Sequence, residues 1–381
     1  MTFVLLLLLA GCPAPEDDDD EGLVDVPELD AFIEARLDTA EVPGLAAAIV
    51  VDGALRWVGA YGWANLDEER PITPDTTFML ASVSKTITAT AVMQVVEDGG
   101  LALSDDVEDA LSFSVTNPGH PSDPITTRQL LLHTSSIVDN WDILAAYYVQ
   151  GDSPVALGAY LEDYLDPAGA LYDGSDNDGS DNYAGWAPGG RYDYSNMGAT
   201  LAGFLVEATT GVPFDTHCET HIFEPLGMTD TGWHLADVDA SVLAMPYGGS
   251  PGNYRPYGHY GYPDYPDGAL RTSVVQLASF LGANMGDGSL GPARILESGT
   301  LEQMRTVSSP TVAAGQGLIW YYEPDLGEDV IGHNGGDDGV STDMYYRLSD
   351  GVGIIVLTNG EARYGPMLAI EEEMFSVGET L

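Results

Sequence analysis

Short runs of apolar or alternating residues cluster near the two ends of the chain, and helical periodicity dominates the middle. Pro27 to Asp38 spaces its apolar side chains three and four apart, which predicts an amphipathic helix. Leu45 to Val51 and Leu55 to Tyr61 read as strands joined by an Asp52-Gly53 hairpin turn. Near the other end, Gly317 to Tyr322, Asp329 to His333, Ser341 to Arg347 and Gly353 to Thr358 read as strands, and Pro366 to Phe375 as a closing helix. In between, Val83 to Glu97 predicts a helix stopped by Gly99-Gly100. This distribution predicts an α+β fold: one antiparallel sheet assembled from both chain ends and flanked by helices, with a mostly helical lobe inserted. The expected boundaries are a sheet lobe over 26–80 and 266–381 and a helical lobe over 81–265, with a site where they meet.

Two middle segments break the pattern. Tyr247 to Asp267 crowds Tyr254, Tyr257, Tyr260, Tyr262 and Tyr265 among prolines and glycines, which disfavours regular structure. It reads either as an aromatic wall beside a cleft or as an ordered surface loop. Asp173 to Asn182 is dense in oxygen ligands, but its spacing misses the calcium-binding EF-hand loop and its closing glutamate. It reads as a solvated acidic loop, so no metal and no cofactor is expected.

Charge narrows the partners. Sixty acidic against twelve basic side chains give a net charge of −48. Such a chain lacks the basic footprint that a phosphate backbone requires, so nucleic acid is excluded as a partner. Val4 to Leu9 is too short an apolar run to span a bilayer. It leads into Leu9-Ala10-Gly11-Cys12, which resembles the lipobox of bacterial lipoproteins. That resemblance implies a signal peptide over 1–11, lipidation of Cys12, and an acidic tether over 12–25 that carries Glu16 to Glu21. It also implies residence in the bacterial cell envelope, with the lipid on Cys12 as the one membrane contact. Cys218, the other cysteine, lies in a helical pattern and is expected to be a buried small hydrophobe.

Of twelve basic side chains only Lys85 is a lysine, and Ser82 stands three positions before it. On a helix that spacing puts hydroxyl and amine one turn apart on the same face. Lysine, unlike arginine, can deprotonate, and an unprotonated Lys85 would activate Ser82 as a nucleophile. Tyr194-Ser195-Asn196 supplies a phenol able to shuttle protons and an amide able to hold a carbonyl. His333-Asn334-Gly335-Gly336 ends a predicted strand with a hydrogen-bonding ring and glycines that admit close approach. A second His-x-Gly, His259-Tyr260-Gly261, falls inside the tyrosine-rich loop and ranks below it.

Ser-x-x-Lys, Tyr-x-Asn and His-x-Gly in this order resemble the serine penicillin-recognising family: class C β-lactamases, DD-carboxypeptidases, D-aminopeptidases and related esterases. Ile125 to Ser135, Phe223 to Met228 and Asp267 to Ser273 look like family segments as well, and the likeness runs from Val26 to Phe375. It implies the β-lactamase/DD-peptidase fold and a serine hydrolase acting on a small peptide, amide or ester. Ser82 would be the acylated nucleophile, Lys85 its proton acceptor, Tyr194 the general base and acid, and Asn196 a substrate positioner. His333 would stand in for the family's third-motif lysine. Backbone N–H groups of Ser82 and Gly336 would form the oxyanion hole, with Gly335 beside them. His133 would be structural. A DD-carboxypeptidase-like activity is the leading expectation, with esterase, D-aminopeptidase or class C-like β-lactamase as alternatives.

Asn334 replaces the hydroxyl residue that often binds a substrate carboxylate in this family, and Asp337 and Asp338 follow at once. Substrates ending in a free carboxylate are therefore expected to be received poorly. Two rivals remain to be weighed. Gly248-Gly249-Ser250-Pro251-Gly252 satisfies Gly-x-Ser-x-Gly, but Pro251 has no N–H for the oxyanion hole that an α/β-hydrolase needs at that position. The other is a surface lipoprotein that keeps the fold as a silent binding module.

Overall fold

A computed structural model describes residues 22–173 and 182–381. Cys12, the signal peptide over 1–11, all but the last four residues of the tether and most of the Asp173 to Asn182 loop lie outside the described residues. Seven strands form the main sheet: β1 (Gly44–Val51), β2 (Ala54–Asn65), β3 (Arg70–Pro71), β4 (Tyr321–Tyr322), β5 (Val330–Asp337), β6 (Val340–Arg347) and β7 (Val352–Thr358). Their order across the sheet is β4-β5-β6-β7-β1-β2-β3, and every neighbouring pair is antiparallel. β1 and β7 join the two chain ends, with Leu45 opposite Thr358 and Val51 opposite Val352.

Period-two alternation explains why this sheet is covered on both faces. Leu45, Ala47 and Ile49 of β1 and Ile354 and Val356 of β7 point to one side. There they meet Leu29 and Ile33 of helix α1 (Pro27–Glu34) and Met367, Ile370 and Met374 of the closing helix α5 (Tyr364–Gly378). Ala46, Ala48 and Val50 point to the other side, into the main core. That core includes α2 (Ser84–Glu97), α3 (Asn196–Thr210) and α4 (Val274–Met285). β1 is accordingly apolar throughout although its partners are antiparallel. Each fully buried Leu or Ile contributes roughly 2 kcal/mol.

Several boundaries differ from the expectation. The strand expected over Gly317 to Tyr322 is cut to Tyr321–Tyr322, because Ile319 takes φ +68° and the Gly317 N–H closes a turn on the Trp320 carbonyl at 2.8 Å. The next strand does not stop at His333 but continues to Asp337, paired along its whole length with β6. Its two-residue turn is Asp338-Gly339, with Gly339 at φ +72°. Asp52-Gly53 is the hairpin turn expected between β1 and β2, both residues at positive φ. The tyrosine-rich segment holds only two-residue strands and one short turn of helix. Cys218 is fully buried in a short helix, as expected.

Candidate active site

The nucleophile turn is shaped before any catalytic side chain is placed. Ala81 takes φ +46°, a left-handed conformation that costs a residue with a side chain roughly 1–2 kcal/mol. Neighbours hold it there. The Leu80 N–H donates to the Leu270 carbonyl at 2.8 Å, and the Leu80 carbonyl accepts the Thr342 hydroxyl of β6 at 2.6 Å. Ser82 follows in a 3-10 turn that leads into α2, so Lys85 sits one turn along.

Lys85 is fully buried. Its Nζ donates to Ser82 Oγ at 3.0 Å and to the Asp267 backbone carbonyl at 2.7 Å, and stands 3.8 Å from Asp267 Oδ2. Hydroxyls fix the Asp267 segment in turn: Thr88 of α2 donates to the Pro266 carbonyl at 2.6 Å and Thr200 of α3 to the Asp264 carbonyl at 3.2 Å. Gly203 lets Pro266 approach, since a Cβ there would stand 2.7 Å from the proline Cβ.

Tyr194 reaches the pair from the residues just before α3. Lys85 Nζ lies 5.1 Å from the centre of its ring. His133 fixes this tyrosine from behind. The Asp193 N–H donates to the His133 carbonyl at 2.8 Å and the Ser195 N–H to His133 Nδ1 at 3.2 Å, while the two rings lie 4.3 Å apart. Asp139 finishes the helix start, accepting the Asn196 and Met197 N–H groups at 2.9 and 3.0 Å. Asn196 is thereby held at the wall of a cavity of about 410 Å³, which Ser82 and Gly336 also line.

β5 runs directly past the nucleophile turn. A Cβ on Gly335 would stand 2.9 Å from Ser82 N, 2.4 Å from the Leu80 carbonyl and 2.5 Å from Thr342 Oγ1. Only glycine permits that approach. A Cβ on Gly336 would meet nothing within 4 Å, so the chain opens into the cavity there. His333 is buried, and its Nε2 has no hydrogen-bond partner among the described residues; its ring centre is 6.2 Å from that of Tyr194 and 5.2 Å from that of Tyr321. The structure thus brings Ser82, Lys85, Tyr194, Asn196, His333, Gly335 and Gly336 together, and leaves His259 in a separate pocket with Phe78 and Leu243.

Electrostatics change one role. Burial alone would lower the pKa of Lys85, but Tyr194, Asp267 and Asp139 outweigh it, and the net shift is upward. An unprotonated Lys85 activating Ser82 is therefore not the resting arrangement: the surrounding groups favour the ammonium. Burial, helped by the Lys85 charge, pulls His333 down to about 3, so it is a neutral ring here. Burial raises Asp267 to about 7 against the opposing pull of Lys85, with Asp139 and Asp337 adding to the rise.

A family model described as Beta-lactamase matches residues 29–378. The chain belongs to the beta-lactamase family. Members of this family are serine hydrolases. Penicillin-binding protein 4* of Bacillus subtilis is 26% identical over 328 residues, covering 81% of this chain and 66% of its own length. The chain thus spans just under two thirds of the length of the curated relatives it matches. Among solved structures, the octameric penicillin-binding protein homologue from Pyrococcus abyssi superposes with TM-score 0.71 at 26% identity, over 93% of this chain and 78% of that one. The D-alanine carboxypeptidase AmpC from Burkholderia cenocepacia superposes with TM-score 0.69 at 24% identity, over 93% and 100%.

Within this beta-lactamase fold, some residues fall elsewhere than expected. Asn334 alternates with His333 along β5 and borders a separate pocket with Asp343 and Glu371 of α5. It is therefore not placed to meet a substrate carboxylate in the Ser82 cavity. Asp337 and Asp338 do line that cavity. Sequence reasoning missed Trp141, Tyr148 and the side chain of Asp267 as cavity residues, and Tyr262 was only one member of a tyrosine-rich loop. None of the four lies in a long periodic element, so hydrophobic spacing carried no signal for them.

Proposed function

We propose that this chain is a serine hydrolase that forms an acyl-enzyme on Ser82 and acts on a small amide or ester. The observation that carries the reading is Lys85 Nζ, pinned between Ser82 Oγ at 3.0 Å and the Asp267 carbonyl at 2.7 Å beside an open cavity of about 410 Å³. Tyr194 acts as the phenolate beside the Lys85 ammonium: Ser82 Oγ attacks the substrate carbonyl carbon, and its proton passes to the phenolate oxygen of Tyr194. The oxyanion that forms is held by the Ser82 and Gly336 N–H groups; removing one such donor typically costs about a hundred- to a thousandfold in rate. Collapse breaks the bond to the leaving group, which takes the proton from Tyr194. Water then adds to the acyl-enzyme by the same route in reverse. Lys85 stays charged, holds Ser82 Oγ in place and offsets the negative charge that develops on the reacting oxygens. Asn196 orients the substrate from the cavity wall.

A DD-carboxypeptidase reading draws on the Burkholderia cenocepacia fold neighbour. The cavity lining weighs against it: Asp337 and Asp338 border the substrate space, and none of the residues lining it is an arginine or lysine able to hold a terminal carboxylate. Esters and amides without a carboxylate rank ahead of peptides and β-lactams that carry one. Lipid anchoring in a bacterial envelope through Cys12 is proposed alongside, and a mature N-terminus carrying lipid-sized mass on Cys12 would support it.

The test is steady-state and burst kinetics with a short-chain nitrophenyl ester, alongside a D-alanyl-D-alanine peptide. The reading expects a burst equal to the enzyme concentration, ester turnover above peptide turnover, and neither in Ser82→Ala. No turnover of either substrate and no burst would leave a silent binding module.

A further inference from the structure

The inner wall of the Ser82 cavity is acidic and aromatic in a way the acyl-transfer machinery does not require. Asp337 stands one residue beyond Gly336 on β5 and lines the cavity. Its carboxylate accepts the Tyr148 hydroxyl at 3.2 and 3.4 Å, the Tyr262 hydroxyl at 3.2 Å and the Asp338 N–H at 2.8 Å. These are fixed, neutral donors. They orient the carboxylate without cancelling its charge.

A second observation points the same way. Asp267, only 7% exposed, also lines this cavity, and its Oδ1 has no hydrogen-bond partner among the described residues. A buried carboxylate oxygen without a donor is costly, which marks a place that a ligand N–H would satisfy. Asp267, Asp337 and Asp338 line this cavity and no arginine or lysine is among the residues lining it, so its wall is acidic. Trp141 at the rim and the Tyr148–Tyr262 pair, with ring centres 4.7 Å apart, offer aromatic faces that attract cations.

Resting on the acyl-hydrolase reading above, we infer that Asp337, with Asp338 and Asp267, forms a subsite for an ammonium group carried by the substrate near its scissile carbonyl. The substrate class is an amino-acid-type ester or amide with a free amine. The ammonium donates to Asp337, which Tyr148 and Tyr262 hold in place. A carboxylate in the same position meets like charge.

Paired thiobenzyl esters of alanine test this, one with a free amine and one N-acetylated, in both configurations of the amino acid. In the intact chain the free amine should raise kcat/KM at least about tenfold over the acetylated partner in one configuration, the size expected of a charge-assisted hydrogen bond. In Asp337→Asn that ratio should fall toward one. A second measurement does not depend on the variant folding. Propylammonium should inhibit turnover of a neutral thioester competitively, and propionate should not. A ratio near one in the intact chain overturns the subsite, as does a ratio unchanged in Asp337→Asn, or equal inhibition by both ions. Failure of the hydrolase reading itself looks different, because neither ester would turn over.

Discussion

The Lys85 ammonium donates to the backbone carbonyl of Asp267 at 2.7 Å, while the carboxylate of the same residue waits 3.8 Å away. One residue thus supplies both a neutral acceptor and a charge to the lysine that touches Ser82. The carbonyl fixes where the ammonium sits, and the carboxylate helps keep it charged. With Tyr194 and Asp139, Asp267 reverses the downward pull that burial exerts on the lysine.

Lys85→Arg keeps the charge and loses the geometry. The buried slot between Ser82 Oγ and the Asp267 carbonyl fits a compact ammonium, and a planar guanidinium cannot make both contacts in it. Acylation in single-turnover stopped-flow should fall by about a hundredfold or more, the size typical of losing one positioned donor at the reacting oxygens. An acylation rate near that of the unmodified chain would contradict the role given to Lys85.

Asp267→Asn should change how stability depends on pH. Burial lifts this carboxyl to about 7 in the fold, against about 4 in an unfolded chain. Between those values the folded state holds a proton that the unfolded state has released, so this group makes stability fall as pH rises from about 4 to about 7. The asparagine variant lacks that slope, so its stability relative to the unmodified chain should rise across the same window. Urea melts at a series of pH values measure the difference, and a constant difference would contradict the assignment.

Gly335→Ala places a methyl group against Ser82 N, the Leu80 carbonyl and Thr342 Oγ1, all within 3 Å. β5 must then move off the nucleophile turn, and overpacking of this kind typically costs about 1–3 kcal/mol. Ester turnover should drop by about tenfold or more, with a lower melting temperature by calorimetry. Gly336→Ala should keep the melting temperature, because its Cβ would enter open space. Equal melting temperatures for both variants would contradict the close approach.

The sheet was legible because β1 and β7 are apolar along their whole length and Asp52-Gly53 carries a recognisable turn. Ser82, Lys85, Tyr194, Asn196 and His333 were legible because their types and order form a chemical set. The full length of β5 was not, since its glycines look like an end. Asp338-Gly339, the same turn signal as Asp52-Gly53, marks where it stops. Asn334 was misplaced for the matching reason: with β5 continuing, alternation puts it opposite His333. The upward shift of Lys85 depends on Asp267 and Asp139, which are 182 and 54 positions away in the chain and meet it only in the fold. Trp141 and Tyr148 sit in a stretch of one-turn helices whose position only tertiary contacts settle.

The most direct test of the account is intact-protein and peptide mass spectrometry after reaction with a fluorophosphonate, beside Ser82→Ala. The account predicts one adduct per chain, located on the peptide that contains Ser82, and none in the variant. No adduct on the unmodified chain, or an adduct of equal yield in Ser82→Ala, would contradict it.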